Sequence, residues 1–208
     1  MSDLLAEDAP GARSAIDGGI VAAAIALFRR KPLHHVTLEQ VAAEAGTTDA
    51  VVRDRFPTID HLVLEVVQTW NAQRTGPLVP IAERHGAVAF LRSIVLANAA
   101  DPALMRLMSS TAAVAATADL PTAHALQTAW IRFHALVQRA LTHDIAVGRE
   151  PATMEPARGA EQLIAMYEGL QLQSMMRPHM DVAEAFDRAM TRLRDGWSRS
   201  YIPPVWDL

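Results

Sequence analysis

Residues 36–67 read VTLEQVAAEAGTTDAVVRDRFPTIDHLVLEVV, helical segments separated by turn signals. Thr37 followed by Gln40 is a capping box, in which the hydroxyl accepts from the backbone amide three residues on while the glutamine reaches back. A short helix starts there with Leu38, Val41, Ala42 and Ala45 on its apolar face, and Gly46 supplies the left-handed conformation that stops it. Thr47 or Thr48 caps the next helix, whose inward positions are Val52 and Phe56 and which ends before Pro57. Thr58 caps a longer helix in which Leu62, Val66 and Trp70 recur every four residues, until Gly76 and Pro77 break it.

Upstream, Ile16, Ile20, Ala24, Leu27 and Phe28 share one face of a helix predicted over 14–31. It closes with Arg29, Arg30 and Lys31 ahead of Pro32, the cationic end that a helix dipole favours. Two short helices around a glycine turn, preceded by a longer helix, have the geometry of a helix-turn-helix; periodicity alone leaves an ordinary helical hairpin open as well. Downstream, helices are predicted near 87–100, 102–117 (Asp101 as cap, Pro102 in the first position), 121–147, 157–177 and 182–199, with the tail Ser200 to Leu208 extended. Apolar spacings of three and four recur almost throughout and no Val/Ile/Thr run alternates strictly, so the chain is expected to be all-α with no strand. The break at Gly76 and Pro77 divides it into an N-terminal three-helix helix-turn-helix domain over 13–60, a connecting helix over 58–75, and a C-terminal helical bundle over 76–200.

Composition narrows the function. Of the 208 residues, 50% are hydrophobic and 20% charged, the balance of a globular chain with one large or two small domains. Cysteine is absent, which excludes disulfides, zinc–thiolate sites, iron–sulfur clusters and a cysteine nucleophile. The apolar runs Gly18 to Phe28 and Leu107 to Ala118 are shorter than the roughly 20 residues of a spanning helix, so no membrane role is expected. Asp3, Glu7 and Asp8 stand where an export signal would carry positive charge, so no export signal is read and a cytoplasmic location is expected. The net charge of −4 argues against polyanion binding by the whole molecule, yet leaves room for a small DNA-reading patch. His34 and His35 read as a solvated loop pair, and the other histidines lack an HExxH or an acidic partner at ligand spacing, so neither metal nor cofactor is expected. No GxSxG elbow, phosphate-binding glycine loop or paired carboxylates on one helical face is found, and an enzyme is not expected.

The segment Ile20 to Val67 closely resembles the DNA-binding domain of the TetR (tetracycline-repressor) family of transcriptional regulators. Ala23-Ala24, Leu27-Phe28, Val36-Thr37, Val41-Ala42, Ala45-Gly46, Phe56-Pro57 and Leu62 occupy the family's slots, over about a quarter of the chain. The resemblance implies that the helix from roughly Thr48 to Arg55 is a recognition helix lying in the major groove, where base edges present distinguishable donor and acceptor patterns. Thr47, Thr48, Asp49, Ala50 and Val51 would then face DNA. Thr48 would bond a phosphate or base edge, and Val51, at a slot often holding threonine, would pack on a thymine methyl. Val52 belongs to the core. Arg53 and Arg55 stand where the family commonly has aromatic residues, and an arginine there binds phosphate or reads guanine by a bidentate pair, Arg53 being the first choice. Thr37 is either a cap alone or also lies at a helix N-terminus that meets phosphate.

Departures from the family pattern bear on affinity. Asp49 and Asp54 put carboxylates on the recognition helix, and Ile59 stands where lysine is frequent. Over 13–60, Arg13, Arg29, Arg30, Lys31, Arg53 and Arg55 are balanced by Asp17, Glu39, Glu44, Asp49, Asp54 and Asp60. Electrostatic attraction to DNA therefore rests on local placement.

The remainder looks like the family's divergent effector domain, and Glu168-Gly169-Leu170 resembles a phrase common in its eighth helix. Each methionine there reads singly as core filling. Together, Phe90, Ile94, Met105, Met108, Trp130, Phe133, His134, Met166, Tyr167 and Leu170 form a candidate pocket lining, with His134 and Tyr167 as polar handles. The last two helices carry the apolar stripes Leu163, Met166, Leu170, and Val182, Phe186, Met190, Leu193, Trp197. In the family these helices pair with their copies in a second subunit. The expectation is a DNA-binding transcriptional regulator: a homodimeric, ligand-responsive repressor of a near-palindromic double-stranded DNA operator, with a small apolar or amphipathic ligand. The alternative is a helical ligand-binding or protein-interaction module with weakened DNA binding.

Overall fold

The structure is a computed structural model that describes residues 10–116, 121–200 and 202. The acidic N-terminal residues Asp3, Glu7 and Asp8, and most of the tail after Ser200, lie outside the described residues. Ten α-helices and two 3-10 turns, Leu33–His35 and Gly76–Leu78, account for the described secondary structure, and no strand occurs among the described residues. The helices are α1 (Pro10–Arg30), α2 (Leu38–Glu44), α3 (Asp49–Arg55), α4 (Ile59–Thr75), α5 (Val79–His85), α6 (Ala87–Ala100), α7 (Pro102–Ala115), α8 (Pro121–Ala146), α9 (Pro156–Met176) and α10 (Val182–Trp197). No single helix among the described residues is long and apolar enough to cross a membrane.

The chain forms two compact units. One comprises residues up to Gln73 together with Arg106–Leu126; the other comprises Arg74–Met105 together with the residues from Gln127 onward.

In the first unit, α1 buries Ile20, Val21, Ala23, Ala24, Leu27 and Phe28. Ile16 is 36% exposed, so the apolar stripe begins one turn later than the spacing suggests. α4 buries Leu62, Val63, Val66, Val67 and Trp70, the four-residue repeat filled in by its flanking valines. Arg29 in the last turn of α1 lies over the Trp70 ring, 5.1 Å from its centroid, a cation–π contact that also shields the indole. Arg30 pairs with Glu44 of α2 at 2.9 Å. Val41, Val52 and Val66 have no exposed surface, and each such side chain stabilises the unit by about 1.5–3 kcal/mol relative to an exposed position.

In the second unit the core gathers Phe90, Leu91, Ile94 and Val95 of α6, Val137 and Leu141 of α8, Leu163, Ile164 and Tyr167 of α9, and Phe186 and Met190 of α10. Ion pairs with a buried carboxylate reinforce it. Asp144 accepts from the Ala87 amide at 2.8 Å and from Arg149 at 3.0 Å, so the first turn of α6 is capped by a carboxylate brought from α8. Gly86, at φ +92, makes this possible: a Cβ there would stand 2.6 Å from Asp144 Oδ2. Glu150 is the second such carboxylate, held by Arg194 of α10 through Nε at 2.9 Å.

Helix α5 is absent from the sequence expectation, which breaks the chain at Gly76 and Pro77. It is one short run with Pro80 in its first turn and no side-chain cap. Its C-terminal end is met instead by Arg149, which donates to the Arg84 carbonyl at 2.9 Å. The bounds of α1 also differ, since the helix begins at Pro10 rather than near 14.

Candidate nucleic-acid interface and effector core

Two short helices and the turn between them are fixed by local hydrogen bonds. Thr37 caps α2, its Oγ1 accepting from the Gln40 amide at 3.3 Å. The reciprocal half of the capping box is not made, because the buried Gln40 Oε1 has no partner among the described residues. At the other end, Gly46 adopts φ +66, the Thr47 amide donates to Ala42 O at 3.0 Å and the Gly46 amide to Ala43 O at 3.3 Å. This is a Schellman closure, and it sets the direction in which the chain enters the next helix. Thr48 then caps α3, with Oγ1 accepting from the Val51 amide at 3.3 Å. Val52 and Phe56 are buried beneath α3.

The opposite side of α3 is open to solvent. Thr48, Ala50 and Val51 are exposed, Val51 with 36% of its surface, while Thr47 and Asp49 are half-buried. Arg53 is exposed but engaged: Nε donates to Asp49 Oδ2 at 2.6 Å on its own helix, and Nη2 donates to Glu39 Oε1 at 2.8 Å on α2. The neighbouring Asp49 carboxylate raises the Arg53 pKa further. Glu39 is held below the usual carboxylate range by the Thr37 hydroxyl, its own backbone amide and Arg53. Arg55 is placed differently, its side chain only 17% exposed and its Nε 3.8 Å from Asp17 of α1. Asp54 is exposed and Ile59 half-buried. The sequence signals Asp49 with Arg53, four residues apart on one helix, whereas Glu39, fourteen residues from Arg53, carries no local signal of its role.

The second unit contains most of the candidate pocket residues. Phe90, Ile94, Met105 and Tyr167 are buried, and Phe133, Met166 and Leu170 pack against that core partly exposed. Phe133 is the hub of an aromatic group, with ring centroids 6.3 Å from Phe90, 6.0 Å from Trp130 and 6.2 Å from Tyr167. His134 is half-buried. Met108 belongs to the other unit, so it is not among the residues this unit brings together.

Polar residues that the sequence did not single out sit at the Tyr167 hydroxyl. Asn98 Nδ2 donates to Tyr167 Oη at 2.9 Å and to Gln171 Oε1. Burial pushes the Tyr167 phenol up from its ordinary pKa, opposed by the positive charge of Arg74, so the tyrosine stays protonated at neutral pH. Arg74 is itself pushed down by burial and back up by Tyr167 and Asp101. Asn98 and Tyr167 are separated by 69 residues, beyond the reach of any spacing argument.

Residues 20–66 match the profile of the bacterial regulatory proteins of the tetR family. This N-terminal part of the chain is a DNA-binding domain of the tetR type, whose helix-turn-helix is α2, the Gly46 turn and α3. No match is found among curated protein sequences. Solved structures similar to this chain share its fold at low identity. A TetR transcription regulator from Haloarcula marismortui superimposes with a TM-score of 0.76 at 14% identity, over 88% of this chain and 98% of that one. FadR from Bacillus subtilis, in complex with stearoyl-CoA, gives a TM-score of 0.71 at 12% identity, over 86% and 98%. SmeT, the repressor of the Stenotrophomonas maltophilia multidrug efflux pump SmeDEF, gives 0.65 at 21% identity, over 90% and 97%.

One further surface of the second unit is concave. The end of α9 and the middle of α10 border an open groove of about 700 Å³, its apolar floor from Leu170, Met180 and Ala185 and its rim from Arg177, Arg188 and Arg192. Leu172 and Met176 on α9 are exposed large apolar residues, 49% and 75% accessible.

Proposed function

We propose that the chain is a tetR-family transcriptional regulator, a ligand-responsive repressor that binds a near-palindromic operator as a homodimer. The observation that carries the reading is the solvent-facing side of α3, where Thr48, Ala50, Val51 and Arg53 are presented on a helix braced from behind by Val52 and Phe56. A short braced helix with a small, mixed polar and apolar outer face fits the major groove. Thr37, Thr47, Thr48, Asp49, Ala50, Val51, Arg53 and Arg55 form the DNA-facing set, Arg55 doing so from an inward anchor. The functional division is a DNA-binding part over 13–60, a connecting helix over 58–75 and an effector part over 76–200. DNA binding places the protein in the cytoplasm.

Dimerisation is assigned to α9 and α10, supported by the apolar residues Leu172 and Met176 that α9 leaves exposed. Two copies related by a two-fold axis read half-sites about 34 Å apart. The ligand is a small apolar or amphipathic molecule held near Phe90, Phe133 and Tyr167. Two structural neighbours hold such molecules, SmeT with triclosan and Bacillus subtilis FadR with stearoyl-CoA. Helix α4, Ile59–Thr75, joins the DNA-binding and effector parts in sequence and is assigned the role of lever between them. Linkage is reciprocal, so operator DNA weakens the ligand by the factor by which the ligand weakens DNA.

Selection of bound duplexes from a random pool tests the reading. An inverted repeat with half-sites one helical turn apart is the expected result; recovery of unrelated sequences, or none, overturns it. The second reading, a module with weakened DNA binding, is favoured by one observation: Arg53 is already paired with Asp49 and Glu39.

A further inference from the structure

Arg53 and Asp49 stand one helical turn apart on α3, joined by a bond of 2.6 Å from Nε to Oδ2. Two carboxylates hold this guanidinium, and they are not equivalent. Glu39, bound to Nη2, has other donors in the Thr37 hydroxyl and its own backbone amide. Asp49 has no second donor among the described residues: Oδ1 is buried and unpartnered, and Oδ2 accepts from Arg53. The Asp49 side chain is nonetheless 38% exposed, so Oδ2 is the oxygen that meets a molecule arriving on this face.

Exchange of partners restricts what that molecule is. When Arg53 turns from Asp49 toward DNA it needs acceptors, and Oδ2 becomes a bare carboxylate oxygen that needs a donor. A phosphate satisfies the arginine alone and sets two negative charges side by side. In an A·T pair the adenine amine lies between two single acceptors, adenine N7 and thymine O4, so a guanidinium finds no two-pronged seat there. A G·C pair presents guanine N7 and O6 next to each other, with the cytosine N4 amine beside O6. The order acceptor, acceptor, donor is the complement of a guanidinium fork with a carboxylate at its edge.

We infer that the Asp49–Arg53 pair reads one G·C base pair in each half-site, Arg53 donating to guanine O6 and N7 while Asp49 Oδ2 accepts from the N4 amine of the paired cytosine. Asp49 is then a specificity-determining residue, because every other base pair leaves its carboxylate against DNA without a donor. The inference rests on the regulator reading above and names the base pair that α3 selects.

Fluorescence anisotropy of the full chain on its selected inverted repeat, and on duplexes altered at one pair at a time, tests it. One G·C pair per half-site is expected at which each of the other three pairs weakens native binding by about tenfold to hundredfold. Arg53→Ala is expected to erase the preference at that pair. Asp49→Ala is expected to bind random duplex more tightly than the native chain, and to lose about fivefold or more of the discrimination at that pair while keeping it elsewhere. A duplex with pyrimidin-2-one in place of that cytosine keeps the guanine acceptors and lacks the N4 amine. The native chain is expected to bind it about fivefold more weakly than a duplex with the same replacement outside the half-sites, a difference absent in Asp49→Ala. Half-sites without such a G·C pair, discrimination unchanged by Asp49→Ala, or indifference of the native chain to the missing amine overturns the inference. Should Asp49→Ala fail to show a native circular dichroism spectrum, the pyrimidin-2-one duplex decides alone. The wider reading fails separately. An inverted repeat bound without regard to Asp49 retains the regulator and removes the G·C reader; retention of no duplex at all removes both.

Discussion

Arg53 Nη2 lies 2.8 Å from Glu39 Oε1, so the most prominent cation on the outer face of α3 is tied to a carboxylate on α2. With Asp49 at 2.6 Å on its other edge, the guanidinium reaches a phosphate or guanine only by exchanging partners. Non-specific attraction is thereby reduced, whereas a bidentate guanine contact can compensate the exchange. Glu39→Gln is expected to tighten binding to random duplex DNA about threefold to tenfold, with a smaller gain on the operator, as measured by fluorescence anisotropy. Arg53→Ala is expected to weaken operator binding by about 1–3 kcal/mol and to lower the salt slope by about one. An unchanged random-duplex affinity for Glu39→Gln shows that the pair does not restrain Arg53.

Arg92 joins α6 to α10 by two bonds to Asp187, each 2.8 Å, and holds that carboxyl below its ordinary value of 3.8. A depressed carboxylate contributes stability that is complete above its unfolded value and is lost as pH falls through its folded value. The contribution therefore persists above about pH 4 and disappears below it. Both groups are substantially exposed, so the contribution is small and weakens with added salt. The urea midpoint of the native chain should lie slightly above that of Asp187→Asn at pH 6, and the two should converge as acid is added.

Asp144 is a different case, because its side chain is 2% exposed and serves both the Ala87 amide and Arg149. Asp144→Ala removes the cap of α6 and strands a partly buried cation, for an expected loss of about 3–5 kcal/mol in denaturant unfolding. Gly86→Ala attacks the same junction from the other side, at a position where φ +92 and the carboxylate leave no room for a methyl group. A loss below about 1 kcal/mol for both variants would exclude this junction as a major source of stability.

Leu172 and Met176 are exposed on α9; the proposed homodimer predicts that the native chain sediments as a dimer and that replacing both residues by glutamate leaves helicity intact and yields a monomer. Operator affinity should fall by about a hundredfold or more, since each half-site is then bound singly. A monomeric native chain that still selects an inverted repeat would refute the assignment of α9 and α10 to dimerisation.

Elements built from local chemistry were legible in the sequence. The caps at Thr37, Thr48 and Asp101, the Gly46 stop and the apolar stripe of α4 all depend on residues within a turn or two of one another. Helix α5 was illegible because Pro80 and the lack of a side-chain cap leave no local signature, its end being closed by Arg149. In the candidate pocket, the aromatic residues were readable as apolar positions on helical faces. The Asn98, Tyr167 and Gln171 cluster was not, since Tyr167 and Gln171 of α9 lie 69 and 73 residues beyond Asn98 in sequence. Arg53 shows the same limit on a smaller scale. Its residue type and position were evident, but its partner Glu39 depends on how α2 packs against α3.

The Arg149 guanidinium, donating to the Arg84 carbonyl at 2.9 Å, bears on how this part of the chain can form during synthesis. A segment as short as Val79–His85 cannot hold helical shape in water alone, and the residue that closes it is translated 65 positions later. A nascent chain ending before residue 149 should therefore present this stretch as coil, and a peptide spanning 76–86 should show no helical signal in isolation.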